Sequence, residues 1–171
     1  MELVIKKILY ATDLSKNSAY AFQYAMDYSE KHDAQIVILH VYEKLRWADM
    51  TELEDNLQIA GQMKAGLKNK ENTAKNIRER LGKFCEKIRK DDPSCTFNVD
   101  KIEVCEGYPA NTILEKADEF DCDLIVMGTH GKGRIAHAFL GSVAEKVLQR
   151  SRRPVFIIPL PEEDTELSYL N

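Results

Sequence analysis

The sequence predicts an α/β fold, an open parallel sheet with helices on both faces, and three observations carry that expectation. Four short runs are apolar at every position, as strands buried on both faces are. Stretches with apolar residues at helical spacing alternate with those runs, and strand, helix, strand in succession implies parallel pairing through right-handed crossovers. The chain has 171 residues, 44% hydrophobic and 30% charged, a composition that can bury a core and excludes global disorder. Residues 1–171 read as one domain.

The first strand is Ile8-Leu9-Tyr10-Ala11 and the second Ile36-Val37-Ile38-Leu39. Between them, Ala19, Phe22, Ala25, Met26 and Ser29 share one helical face and make a crossover helix over the sheet. A weaker, alternating candidate, Val99 with Lys101-Ile102-Glu103-Val104, suits an edge strand. Pro109 fits a first helical turn, and Ile113, Leu114, Ala117 and Phe120 continue that helix's stripe. Leu124-Ile125-Val126-Met127 follows as a buried strand. The next helix begins after Gly141, buries Val143, Val147 and Leu148, and stops before Pro154. Val155-Phe156-Ile157-Ile158 makes the fifth strand.

The segment 43–90 is longer than one crossover needs and reads as two helices. Met50, Leu53, Leu57 and Ala60 trace one stripe behind a Thr51-x-x-Glu54 capping box, and Ile77, Leu81, Phe84 and Ile88 trace another. The polar stretch Lys68-Asn69-Lys70-Glu71-Asn72 is the expected break. The first stripe suits a lid or a partner-binding helix, but an amphipathic helix covering the sheet is the commoner use of such a pattern.

Lys plus Arg number 24 and Asp plus Glu 28, a formal net charge of −4. That balance argues against a nucleic-acid binder that neutralises many phosphates, while a local basic patch can still hold one polyphosphate. Cys85, Cys95, Cys105 and Cys122 form no C-x-x-C pair and read as reduced thiols rather than a metal site. The apolar stretch near the N-terminus is broken by Lys6 and Lys7, too short and polar for a signal peptide or a membrane span. The expected compartment is the cytoplasm.

The chemistry concentrates in Gly128-Thr129-His130-Gly131-Lys132-Gly133-Arg134 and, further on, Gly141-Ser142-Val143. Glycine at a strand end admits a close ligand, and N–H groups at a helix start favour negative charge. Lys132 and Arg134 are the nearby cations. Each residue alone has an ordinary structural use, Ser142 with Glu145 being a standard capping box. With glycine at about 7% of residues, the combined spacing arises by chance in about one such chain in a hundred. The Walker A pattern fails because Arg134 follows Gly133. Gly131-x-Gly133-x-x-Ala136 meets only the loosest dinucleotide fingerprint, near the wrong end of the chain. After the first strand, Ala11-Thr12-Asp13-Leu14-Ser15 sits where open parallel sheets bind ligands. Asp13 suits ribose hydroxyls or a phosphate-bound metal, or else an N-cap or Asx turn. Val41 offers backbone groups after the second run, whereas His130 and His137 carry no specific signal. No Gly-x-Ser-x-Gly elbow, His-Glu-x-x-His helix or paired carboxylates appear, so any hydrolysis is expected to be slow.

Taken together these residues resemble the universal stress protein family, in its ATP-binding branch. The resemblance rests on Ile8 to Ser15, Leu39-His40-Val41, Asp123 to Gly128, the glycine motif, and Arg153-Pro154-Val155-Phe156-Ile157-Ile158-Pro159. It implies a five-stranded parallel sheet of order 3-2-1-4-5, adenine-nucleotide α-hydrolase-like. It also implies ATP as ligand, with Mg or Mn as accompanying ion and AMP or ADP as alternatives. Asp13 would contact the ribose, Val41 the adenine through its backbone, and Gly128, Gly131, Gly141, Ser142 and Val143 the phosphates. Ala11, Thr12, Met127, His130, Lys132 and Arg134 complete the expected cofactor-binding set. A homodimer through Val155, Phe156, Ile157 and Ile158 is implied, and a protein partner besides. The function so implied is regulation, with nucleotide state tuning interactions. An ATP-cleaving or nucleotide-transferring enzyme and a nucleotide-independent interaction module are the alternatives. The long segment 43–90, Lys132 and Arg134 are this chain's departures from the family pattern.

Overall fold

The computed structural model describes residues 4–43, 58–129 and 140–159. In chain order the elements are β1 (Lys7–Ala11), α1 (Lys16–His32), β2 (Gln35–Glu43), α2 (Gln58–Asp91), β3 (Asn98–Gly107), α3 (Pro109–Glu119), β4 (Leu124–Gly128), α4 (Ser142–Arg150) and β5 (Val155–Ile158). The strands form one parallel sheet of order β3-β2-β1-β4-β5, as the sequence predicts.

Alternation along each strand explains the unbroken apolar runs. Ile8, Tyr10, Ile36, Ile38, Leu124 and Val126 face a core shared with α1 and α2. Leu9, Ala11, Val37, Leu39, Ile125 and Met127 face a second core closed by α3 and α4. Each face therefore needs its own apolar set, and the strand shows no polar side. The stripe predicted for α1 is buried throughout, from Ala19 to Ser29. Phe22 anchors the first core, its ring 4.9 Å from Tyr10, 5.6 Å from Phe84 and 5.7 Å from Phe97. Fully burying one such side chain contributes about 1.5–3 kcal/mol.

Three expectations are corrected. The break at Lys68–Asn72 does not occur, because α2 runs unbroken from Gln58 to Asp91. That stretch is polar on every side, which resembles a loop, but its lysines and glutamate are good helix formers and it holds no Gly or Pro. The capping box at Thr51–Glu54 and the stripe positions Met50, Leu53 and Leu57 lie outside the described residues. In α4, Leu148 is exposed, and the buried pair is Ala144 and Val147. A nine-residue helix lying on one sheet needs only a narrow stripe, and 144 to 147 supplies it. Ser142 is the first helical residue rather than the cap, which is Gly141.

The two edges differ. β3 carries Asp100, Lys101 and Glu103, and its register shifts opposite Ile36 and Val37, leaving Asp100 as an extra residue. Charges and a bulge blunt an edge against pairing. β5 is Val-Phe-Ile-Ile, without a charge. At the end of β3, Gly107 abuts α3: a Cβ there would lie 2.2 Å from the Thr112 hydroxyl oxygen, so this close approach needs glycine.

The four cysteines are free thiols. Burial pushes Cys85, in the first core, and Cys122, in the second, up to about 11. Among the described residues no helix is long and apolar enough to cross a membrane.

Candidate functional site

Three strands deliver the candidate residues to one edge. Ala11 pairs with Leu39 of β2 on one side and Met127 of β4 on the other. Thr12 and Asp13 therefore emerge between Val41 and Gly128, at the carboxyl ends where the chain reverses its direction of winding. Open α/β sheets bind ligands at that switch point. Ala11 and Met127 are themselves buried in the second core, so they can offer only backbone groups. Val41 is half-buried, opposite Cys105.

The loop after β1 is held by its own side chains. Ser15 caps α1, accepting from the Ser18 N–H at 3.2 Å. Thr12 Oγ1 donates to Ser18 Oγ at 2.9 Å and accepts from the Leu14 N–H at 3.1 Å. Leu14 takes a left-handed conformation, φ 63°, a strain of about 1–3 kcal/mol for a side chain other than glycine. Asp13 Oδ1 accepts from the Ser15 N–H at 3.1 Å and from its hydroxyl at 2.6 Å, an Asx turn. Of the structural alternatives offered by the sequence, the Asx turn is present, whereas the cap of α1 is Ser15 rather than Asp13; both bonds to Asp13 use one carboxylate oxygen. Asp13 Oδ2 is buried and has no hydrogen-bond partner among the described residues. An unmet buried acceptor costs about 1–3 kcal/mol, more if charged.

His40 went unremarked as a site residue in the sequence. Its ring is buried and its Nδ1 lies 2.8 Å from the Thr12 carbonyl. A carbonyl only accepts, so Nδ1 carries the proton and ties β2 to the loop. The signal was a polar residue inside the otherwise apolar run ending β2.

The opposite wall is main chain. Gly128 ends β4, opposite Ile158. Thr129 donates its N–H to the Ile158 carbonyl at 3.0 Å and accepts from the Gly141 N–H at 2.7 Å. That second bond draws the start of α4 against the end of β4. The N–H groups of Ser142, Val143 and Ala144 open the helix, where no intrahelical carbonyl can receive them. Gly141 has φ −71° and ψ 152°, extended backbone that any residue adopts. Conformational freedom is therefore not what glycine supplies there. His130, Gly131, Lys132 and Arg134 lie outside the described residues.

At the other end of the sheet a cavity of about 380 Å³ is lined by Lys7, Val37, Asp100, Lys101, Glu119 and Phe120. Its charges are already matched, Lys7 with Asp100 at 3.6 Å and Lys101 with Glu103 at 3.8 Å. Among the described residues no three His, Cys, Asp or Glu side chains gather to hold a metal ion.

Comparison with known proteins identifies the family. The model of the universal stress protein family matches residues 5–159. Universal stress protein MJ0577 of Methanocaldococcus jannaschii is 31% identical over 159 residues, 92% of this chain and 97% of that protein. Its solved structure superposes with a TM-score of 0.69 at 28% identity, over 94% of this chain and all of that one. A universal stress protein in complex with cAMP has a TM-score of 0.58 at 20% identity, over 93% and 100% of the two chains. One from Archaeoglobus fulgidus in complex with dAMP has 0.51 at 19%, over 91% and 99%. With the family's model matched from β1 through β5 and nearly a third of its residues shared with a curated member, the chain belongs to the universal stress protein family.

Proposed function

We propose that this protein binds ATP and acts as a regulator in the stress response, its nucleotide state altering the surface it offers to a partner. One observation carries the reading: a buried carboxylate oxygen without a donor among the described residues, Asp13 Oδ2, lies at the same carboxyl end of the sheet as the open first turn of α4. Such a pair asks for a ligand with hydroxyl donors at one end and negative charge at the other. Adenine nucleotides have both. The cAMP and dAMP complexes of related proteins support the same class.

In this reading Asp13 Oδ2 accepts from ribose hydroxyls, while Ser15 holds the other oxygen and so fixes the carboxylate before the ligand arrives. The backbone of Val41 reads the adenine edge. Gly128, Gly131 and Gly141 leave space for the phosphates, and the N–H groups of Ser142 and Val143 bond to them with Lys132 and Arg134 nearby. Mg or Mn enters with the phosphates, and ADP or AMP occupies the site more weakly. The chemistry is recognition, accompanied at most by slow hydrolysis. Two copies join along Val155, Phe156, Ile157 and Ile158, the apolar edge.

The test is mass spectrometry of nucleotide released by denaturing the freshly purified protein, with calorimetric titration of ATP, ADP, AMP and NAD. Co-purified ATP, or binding that prefers it, is expected. No adenine nucleotide bound at millimolar concentration would overturn the reading.

A further inference from the structure

The flank of α1 beside β5 carries a row of aromatic rings, of which Tyr20 and Tyr28 pack partly against the first core while Tyr24 and His32 stay exposed. Tyr20, Tyr24, Tyr28 and His32 recur every four residues, the spacing of neighbours along a helix surface. Tyr20 and Tyr24 stand edge to face, ring centres 5.5 Å apart and hydroxyls 3.1 Å apart. Tyr28 stacks on His32 at 4.1 Å and meets Phe156 of β5 edge-on at 5.4 Å. Tyr24 remains 44% exposed and Phe156 38%. The row thus runs to the apolar sheet edge. On the same helix, Asp27 and Lys31 pair with each other at 2.8 Å.

We infer that this aromatic row is the second half of a homodimer interface, facing the same row of a second copy across the joined β5 strands. The inference rests on the reading that β5 joins copies, and area argues for it. Four residues of strand span about 13 Å, and a two-stranded pairing alone is marginal. A stable interface needs about 800 Å² from each partner, whereas each aromatic side chain can bury about 150–250 Å². Antiparallel joining of β5 to its copy places the two-fold axis perpendicular to the sheet, so α1 and its counterpart lie on the same face. α1 packs chiefly on β4. The two β4 strands are then three strand spacings apart, about 14 Å, and the helices stand wider than the 8–10 Å of direct helix packing. A trough is left over the joined strands. Phe156 and Tyr28 fill it from each side, and Tyr24 closes it toward solvent.

The experiment is sedimentation equilibrium of the full chain and three variants, with far-UV circular dichroism to verify folding. Tyr24→Glu alters an exposed side chain outside both cores and is expected to weaken the dimer at least tenfold. Tyr108→Ala removes a still more exposed ring elsewhere, 60% accessible, and should leave association unchanged. Ile157→Lys breaks the strand edge itself. If Ile157→Lys is monomeric while Tyr24→Glu dimerises like the parent, β5 joins copies without the aromatic row and the inference falls alone. If the parent chain is monomeric at 100-micromolar concentrations, about where weak dimers still form, the joining of β5 falls and takes the inference with it.

Discussion

On the β1 side of the candidate site, Thr12, Asp13, Ser15, Ser18 and His40 hold one another through side-chain hydrogen bonds. On the β4 side, Gly128, Thr129, Gly141 and the first turn of α4 present backbone groups, fixed by one bond between Thr129 and Gly141. The first wall is held by its own side chains and, among the described residues, leaves one buried oxygen unmet. The second leaves a whole helical turn of donors. In the proposed reading, the contrast separates selectivity from binding strength. A preformed carboxylate discriminates hydroxyls with little reorganisation, while a backbone cradle holds any anion that fits and depends on space more than on side-chain identity.

If that division is right, substitutions on the two walls should fail in different ways. The largest effect is expected from Gly141→Val: its extended backbone accepts valine, so the fold survives while ATP affinity by calorimetry falls at least ~100-fold, about 2.7 kcal/mol. Undiminished binding would remove the phosphates from this wall. Asp13→Asn keeps an oxygen for Ser15 but replaces the unmet acceptor with a donor. Affinity should drop ~10-fold with a melting temperature close to the parent's, since a hydrogen bond to a charged group is worth about 1.5–3 kcal/mol. Loss of stability without loss of affinity would make Asp13 purely structural. His40→Ala removes the Nδ1 donor to the Thr12 carbonyl and should cost about 1–3 kcal/mol in urea unfolding, with a several-fold loss of affinity that follows the loosened loop. Ser142→Ala is the mildest on the site. Ser142 is exposed at the first helical position and caps nothing, so stability should stay within about 0.5 kcal/mol, and only a small loss of affinity should be seen.

The thiols test whether the cores behave apart from both walls. Cys85 and Cys122 have folded-state values of about 11 against an ordinary 9.0. A value raised by folding means the protonated form is favoured in the native state. The stability it contributes is full below pH 9 and disappears as pH rises through about 11. The parent should therefore lose more stability across that window than a Cys85→Ala, Cys122→Ala variant. Parallel curves would show that these thiols do not titrate differently on unfolding.

The sheet was legible because burial on both faces writes itself into every strand position, and β3 because an edge strand keeps its polar alternation. The long α2 was misread at Lys68–Asn72, where uniform polarity hid good helix formers. Leu148 was misjudged because periodicity assigns a face without saying how wide it is. At the candidate site, position after β1 pointed to Asp13 and glycine spacing to Gly128 and Gly141, but neither could show that Asp13 commits only one of its two oxygens to the loop. His40 escaped because its partner is a backbone carbonyl 28 residues away, and main-chain acceptors leave no mark on composition.

The unequal edges of the sheet also bear on polymerisation. If β5 pairs with its own copy by two-fold symmetry, as proposed, that edge is consumed in the act, and the outer borders of the resulting ten strands are both β3, charged and bulged. Growth therefore stops after one addition. A sheet with two apolar edges would propagate strand upon strand into fibres, whereas this arrangement closes at the smallest assembly its symmetry allows.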